Sequence, residues 1–298
     1  MVISWLFFAL SGYLLLAFSG VADKFLVSKV VKQPIAYAFY TAITGPFSLI
    51  LIPFGVKFLS WPDFAVALMA GACFILAIYH SYSAISRSSV SRVVPIQGGL
   101  VPLFSFFLAH VILGEQLTFL QTGAFFFLVL GAVLISFRKE KGKWTNEAFT
   151  YAATSALFFA LTSVLTKYIF LQSNYISGLV WPSLGFLLPV PFILMIKENR
   201  EAIFNAPKEA GVKNTALYYS SRASGTLGGF LQKYAVSVSS VTLVNALQGT
   251  QFVFLLAMTT FVSIYFPKVL KERINAETIA LKLTAIVLIS CGLFLLLK

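Results

Sequence analysis

Few residues in the apolar runs of this sequence can do chemistry, and Arg222 is the most distinctive of them. It falls about three residues from the middle of a run at 214–236. An arginine in hydrocarbon costs at least ~2.5 kcal/mol on insertion scales and needs a partner or water. It either snorkels to a headgroup or pairs with carbonyls, or it meets an anion or carboxylate in a wet cavity. His80, flanked by Tyr79 and Tyr82, lies in a run at 64–86. Imidazole titrates near physiological pH, so His80 suits a proton relay or ligand donor, or else a hydrogen-bonded packing role. Tyr79 and Tyr82 are spaced to share one helix face and suit packing or a site wall.

Amides form the second group. Gln97 and Gln248 fall on separate apolar runs, and Asn245 precedes Gln248 by three residues, on the same face. Amides both donate and accept, so they fit a neutral or zwitterionic solute, and they serve equally as interhelical glue. Trp181, beside Pro182, together with Tyr218 and Tyr219, is expected to pack or to wall a cavity. Lys24 and Lys167, at matched run ends, are expected to snorkel at an interface. All ten acidic residues fall in connections or near run ends.

The elements that must position these residues are transmembrane helices. Of 298 residues, 59% are hydrophobic and 11% charged, and the mean hydropathy is +0.89. A soluble domain carries about 25% charged residues. An ordinary soluble enzyme, a disordered chain and a nucleic-acid-binding domain are therefore excluded, and the net charge of +12 fits loops facing an anionic membrane surface. Cys73 and Cys291 lie in apolar runs and make neither a disulfide framework nor a metal cluster. No charge occurs in residues 1–22, which argues against a cleavable signal.

A bilayer core needs about 20 helical residues. Runs near 3–22, 34–56, 64–86, 90–112, 117–137, 148–171, 175–196, 214–236, 241–266 and 277–297 meet that length. The expected fold class is an all-α membrane protein with ten transmembrane helices. Its halves, 1–137 and 148–298, flank a charged linker at 138–147.

The halves echo each other. Residues 84–98 (Ala-Ile-Ser-Arg-Ser-Ser-Val-Ser-Arg-Val-Val-Pro-Ile-Gln-Gly) match 235–249 (Ala-Val-Ser-Val-Ser-Ser-Val-Thr-Leu-Val-Asn-Ala-Leu-Gln-Gly) at eight of 15 positions, with a shift of 151. A second echo joins Ala17–Val21 and Lys24 to Ala160–Val164 and Lys167, at a shift of 143. Five spans per half is an odd number, so the second half enters the membrane from the opposite side. Inverted repeats of this kind are common among secondary transporters, with the binding site near the midplane between repeats.

On these motifs the chain resembles the drug/metabolite transporter superfamily, specifically its ten-helix EamA-type members. The resemblance is carried by the two five-helix halves and the Ala-x-Ser-x-Ser-Ser-Val approach to the fourth run. Leu113-Gly114-Glu115-Gln116-Leu117-Thr118, Gly123 and Gly131 add to it. It implies a membrane carrier of amino acids, metabolites, nucleotide sugars or sugar phosphates, and a structural role for Glu115 and Glu272. Counting Lys and Arg by side gives sixteen in the odd-to-even connections against four opposite. That bias places both termini outside, whereas the resemblance implies termini inside.

The expected activity is alternating-access transport of a small organic solute, an amino acid or another anionic or zwitterionic metabolite. A coupling proton is a possible partner, no cofactor is expected, and monomer and homodimer are both open. With short tails, no sequon and no retention or lipidation motif, the expected location is a prokaryotic cytoplasmic membrane. No Walker A sequence is present, and with two histidines and no acidic cluster an intramembrane enzyme is the alternative rather than the reading.

Overall fold

The computed structural model describes residues 2–29, 33–88, 90–136, 145–265 and 276–297. These form helices α1 (Val2–Lys29), α2 (Pro34–Ala42), α3 (Trp61–Arg87), α4 (Val90–Leu113), α5 (Phe119–Ser136), α6 (Asn146–Gln172) and α7 (Tyr175–Leu184). After these come α8 (Val190–Met195), α9 (Lys197–Val238), α10 (Val241–Ala246), α11 (Gln248–Tyr265) and α12 (Ala276–Leu296). Tighter 3-10 segments at Gly45–Phe54 and Gly185–Leu187 extend α2 and α7. No strand occurs among the described residues. Among the described residues, seven stretches are long and apolar enough to cross a bilayer, and 119–135 and 280–296 are shorter apolar helices.

Local chemistry sets where several helices begin. Ser60 caps the start of α3: its hydroxyl accepts from Asp63 N and donates to the Asp63 carboxylate at 2.6 Å. Thr145, Asn174 and Ser240 cap α6, α7 and α10 by accepting from the backbone N–H three residues on.

Three runs that read as single helices are broken. Gly45, Pro46 and Pro53 turn the second into a 3-10 segment, and Pro182, Pro189 and Pro191 divide the seventh. The ninth breaks at Leu247, between α10 and α11. The eighth is longer than its apolar run: α9 starts at Lys197, so the charged stretch expected to be a connection is helical. Lys, Glu, Ala and Asn there are compatible with helix, and charge alone marks a membrane boundary rather than a helix end.

The longest interfaces run between α1 and α9, between α3 and α6, and between α5 and α12. Small residues bring the first two pairs close. A Cβ on Gly12 would lie 2.8 Å from the Gly228 carbonyl oxygen, and a Cβ on Gly228 would lie 2.8 Å from that of Gly12. Two turns away, the Ser19 and Ser221 hydroxyls share a 3.0 Å hydrogen bond. Across α3 and α6, Ser155 Oγ donates to Ala77 O at 2.9 Å and Thr162 Oγ1 to Ala70 O at 3.2 Å. The outer surface is apolar, with Phe47 77%, Phe192 73% and Phe119 93% exposed, as a lipid-facing surface requires.

Candidate functional site

Inside the bundle, polar side chains gather where three helices meet. Gln97 on α4 donates through Nε2 to Ser81 Oγ on α3 and Ser155 Oγ on α6, each at 2.9 Å. Because Ser155 in turn donates to Ala77 O, one amide joins three helices. Its Oε1 has no hydrogen bond among the described residues.

His80 adjoins Ser81 and faces the same crossing. Its Nδ1 lies 2.7 Å from Leu76 O; a carbonyl can only accept, so Nδ1 carries the proton and Nε2 is left to accept. The ring packs against Tyr151 and Phe158 of α6 and edge-on to Tyr79. Tyr82 stacks on Tyr37 of α2 with centroids 3.7 Å apart, and both Tyr79 and Tyr82 pack on the cluster built around Tyr37, Ile75 and Ile78. Of the expected site residues, His80, Tyr79 and Tyr82 share α3, and Gln97 of α4 meets that helix through Ser81.

A second junction joins α1, α9 and α10. Tyr13, 1% exposed, donates its hydroxyl to Val244 O at 2.8 Å and accepts from Gln232 Nε2 at 3.0 Å. The break after Ala246 leaves Val244 O with a 3.2 Å bond from Leu247 N, three residues on, and the tyrosine supplements it. Asn245 is buried at 3% exposure, and its Nδ2 donates to Ser105 Oγ of α4 at 2.8 Å. Gln248, three residues on, is partly exposed and has no side-chain hydrogen bond among the described residues. Tyr13, Gln232, Ser81, Ser105 and Ser155 were not singled out in the sequence. Serines are too common there to stand out, but adding 151 to Ser81 leads to Gln232.

Trp181 lies apart from both junctions. Its Nε1 donates to Lys57 O at 2.8 Å and its ring meets Phe58 and Phe64, at one end of the bundle. Arg222 and Tyr218 stand on α9, and their side chains lie outside the described residues.

The Trp181 end is laced by direct ties between connections. Lys57 N donates to Ser177 Oγ at 2.8 Å, Asn174 Nδ2 to Gly55 O at 2.7 Å, and Tyr168 OH to Asp63 Oδ1 at 2.9 Å. Lys167, expected to snorkel, is instead buried, with its ammonium on the last carbonyls of α9: Val236 O, Ser237 O and Ser239 O at 2.9, 3.1 and 2.9 Å. At the opposite end Arg87 Nε donates to Glu147 at 2.7 Å and stacks over Tyr151.

The family model of EamA-like transporters matches residues 3–137. The first half of the chain is similar to that family. With its apolar helices, the chain is a multi-pass membrane protein. A protein of known crystal structure, described only as a protein, is 16% identical; the match covers 98% of this chain and 96% of that one, with a TM-score of 0.69. At that identity the likeness establishes the fold. No curated protein matches.

Proposed function

We propose that this EamA-like chain is a secondary transporter that moves a small zwitterionic or anionic organic solute, such as an amino acid, by alternating access. Counting α2 with its 3-10 segment, α7 with α8, and α10 with α11 as single spans, the chain has ten. Residues 1–137 and 148–298 then form two inverted five-helix repeats, joined by the 138–147 linker.

One observation carries this reading: the helix crossings of the two halves correspond under the shifts found in the sequence. Adding 151 to Ala77 and Ala70 on α3 leads to Gly228 and Ser221 on α9. Subtracting 143 from Ser155 and Thr162 on α6 leads to Gly12 and Ser19 on α1. Each α3–α6 pair has its image in an α1–α9 pair: Ser155 on Ala77 and Gly12 on Gly228, Thr162 on Ala70 and Ser19 on Ser221. Shared apolar composition does not produce matched contacts at two independent shifts. A helix of each half thus packs on a helix of the other, the arrangement in which one bundle rocks against its image around a central site.

Gln97, with Nε2 fixed by Ser81 and Ser155, presents Oε1 at that site. His80, whose Nδ1 meets Leu76 O, is the group proposed to couple transport to protons. The basic connections face the cytoplasm of a cell membrane and both termini face outside. The test is counterflow: purified protein in liposomes preloaded with the twenty amino acids should take up labelled amino acids saturably. Uptake that is linear in concentration, or no different from empty liposomes, would refute a carrier of this class.

A further inference from the structure

Gln97 is bonded to Ser81 and Ser155, Gln232 to Tyr13, and Asn245 to Ser105. The two amides of α11 differ. Gln248 and Gln251, on α11, are both partly exposed and have no side-chain hydrogen bond among the described residues. Three residues apart, they share one helix face. Gln251 is the middle residue of the 241–261 span, with ten span residues on either side. An amide left unpaired in hydrocarbon costs about 4–8 kcal/mol on a cyclohexane scale. This face therefore meets water or a ligand rather than lipid tails.

Its direction follows from its neighbours. Gly249 and Phe252 pack toward α5 and α4, against Ala132 and Gly98. Leu255, one turn beyond Gln251, meets Gly20 of α1. The row 248, 251, 255 thus turns toward α1. Tyr13 meets Val244 and Gly20 meets Leu255, so Gln251 stands level with α1 residues between 13 and 20. Ser19 meets Ser221, which sets position 222 of α9 at about the same level. Sequence counterparts sharpen the contrast, because Gln97, the image of Gln248, is tied to two serines, and the image of Gln251 is Leu100.

We infer that Gln248 and Gln251 form the amide face that recognises the solute, and that the solute is a zwitterion of the α-amino-acid type. Two primary amides offer four N–H donors and two carbonyl acceptors. A ligand bearing only a carboxylate leaves both carbonyls unpaired, and one bearing only an ammonium leaves the N–H groups unpaired. An adjacent carboxylate and ammonium pair with both. The inference rests on the transporter reading for its solute but not for its water-facing geometry.

The test uses the full chain in liposomes with Cys73→Ser and Cys291→Ser, adding Gln248→Cys, Gln251→Cys or, as reference, Phe252→Cys. The probe is the membrane-impermeant reagent methanethiosulfonate ethylsulfonate. The cysteines at 248 and 251 should react at least about tenfold faster than that at 252, where the native phenylalanine packs against Gly98, and a mixture of the standard amino acids without cysteine should slow them by a similar factor. Unreactive cysteines at both 248 and 251 in monodisperse protein would overturn the water-facing geometry. Reaction that the amino acids do not slow would overturn the zwitterion assignment. Absence of counterflow with labelling and protection intact would instead remove the carrier reading and leave the amide face standing.

Discussion

Lys167 and Glu115 hold the two sides of one helix break. The Lys167 ammonium donates to Val236 O, Ser237 O and Ser239 O at the end of α9. The Glu115 carboxylate accepts from Ser240 Oγ at 2.6 Å and from Val241 N and Thr242 N at 3.3 Å, at the start of α10. A helix C-terminus carries partial negative charge and an N-terminus partial positive charge, so each side chain has the sign its helix end needs. The two side chains come from α6 and from the α4–α5 turn, and they pin the α9–α10 junction to both.

Lys167→Met should therefore destabilise the protein. Three carbonyls lose a charged donor, and a loss of about 2–4 kcal/mol follows from the usual worth of such bonds. Glu115→Gln keeps an acceptor for the cap and should cost about 1 kcal/mol. Because both act on one turn, the double variant should lose less than the sum. Thermal melting in detergent reads all three, and strict additivity would mean that the two sides of the break act independently.

Gly228 and Gly229 give a paired test of the α1–α9 crossing. A Cβ at Gly228 meets the Gly12 carbonyl and the Leu15 and Leu16 side chains, whereas one at Gly229 meets nothing within 4 Å. Gly228→Ala should lower stability by about 1–3 kcal/mol through overpacking. Gly229→Ala should raise it by up to about 1 kcal/mol, because alanine favours helix over glycine. Equal effects at the two positions would show that the close approach is not what holds these helices together.

The apolar runs were legible because span length is set by the bilayer. Their interruptions were less so: Pro182 and Pro189 are visible in the sequence, but whether a proline kinks, divides or tightens a helix depends on its neighbours. The eighth run is shorter than α9 because charge marks the end of its apolar part and not the end of the helix. At the candidate site, Gln97 stood out through the repeated Gln-Gly pair. Its partners Ser81 and Ser155 did not, because a serine's role depends on which backbone or amide lies opposite. Lys167 lies near the end of its apolar run but inside α6, which continues to Gln172, and its burial depends on three carbonyls far along the chain.

Orientation is the third prediction. Sixteen Lys and Arg in one set of connections against four in the other should place the 138–147 linker in the cytoplasm. A reporter active only outside the cytoplasm should be active when fused after Lys298 and silent when inserted at Lys141–Lys143. The reverse pattern would mean that the basic residues line an entrance instead of setting topology.

The last prediction concerns charge selectivity and follows from where the acids are. Asp23, Asp63, Glu115, Glu140, Glu147, Glu198, Glu201, Glu209, Glu272 and Glu277 all fall in connections or near run ends. The mid-span stretch Ala9-Leu10-Ser11-Gly12-Tyr13-Leu14 of α1 contains no carboxylate to bind a lipophilic cation. Its Tyr13 is engaged with Val244 and Gln232, and Gly12 is pressed against α9. Position 222, by contrast, carries an arginine, level with Gln251. Arginine recognises carboxylate or phosphate through charge-assisted, often bidentate hydrogen bonds. Arg222→Gln should cut amino-acid counterflow at least about tenfold, equivalent to roughly 1.4 kcal/mol of lost transition-state stabilisation. Arg222→Lys should restore part of it, because lysine keeps the charge but lacks the planar fork. Efficient transport of ethidium-like cations, unchanged by Arg222→Gln, would show that the site selects cations and that this arginine has a structural role.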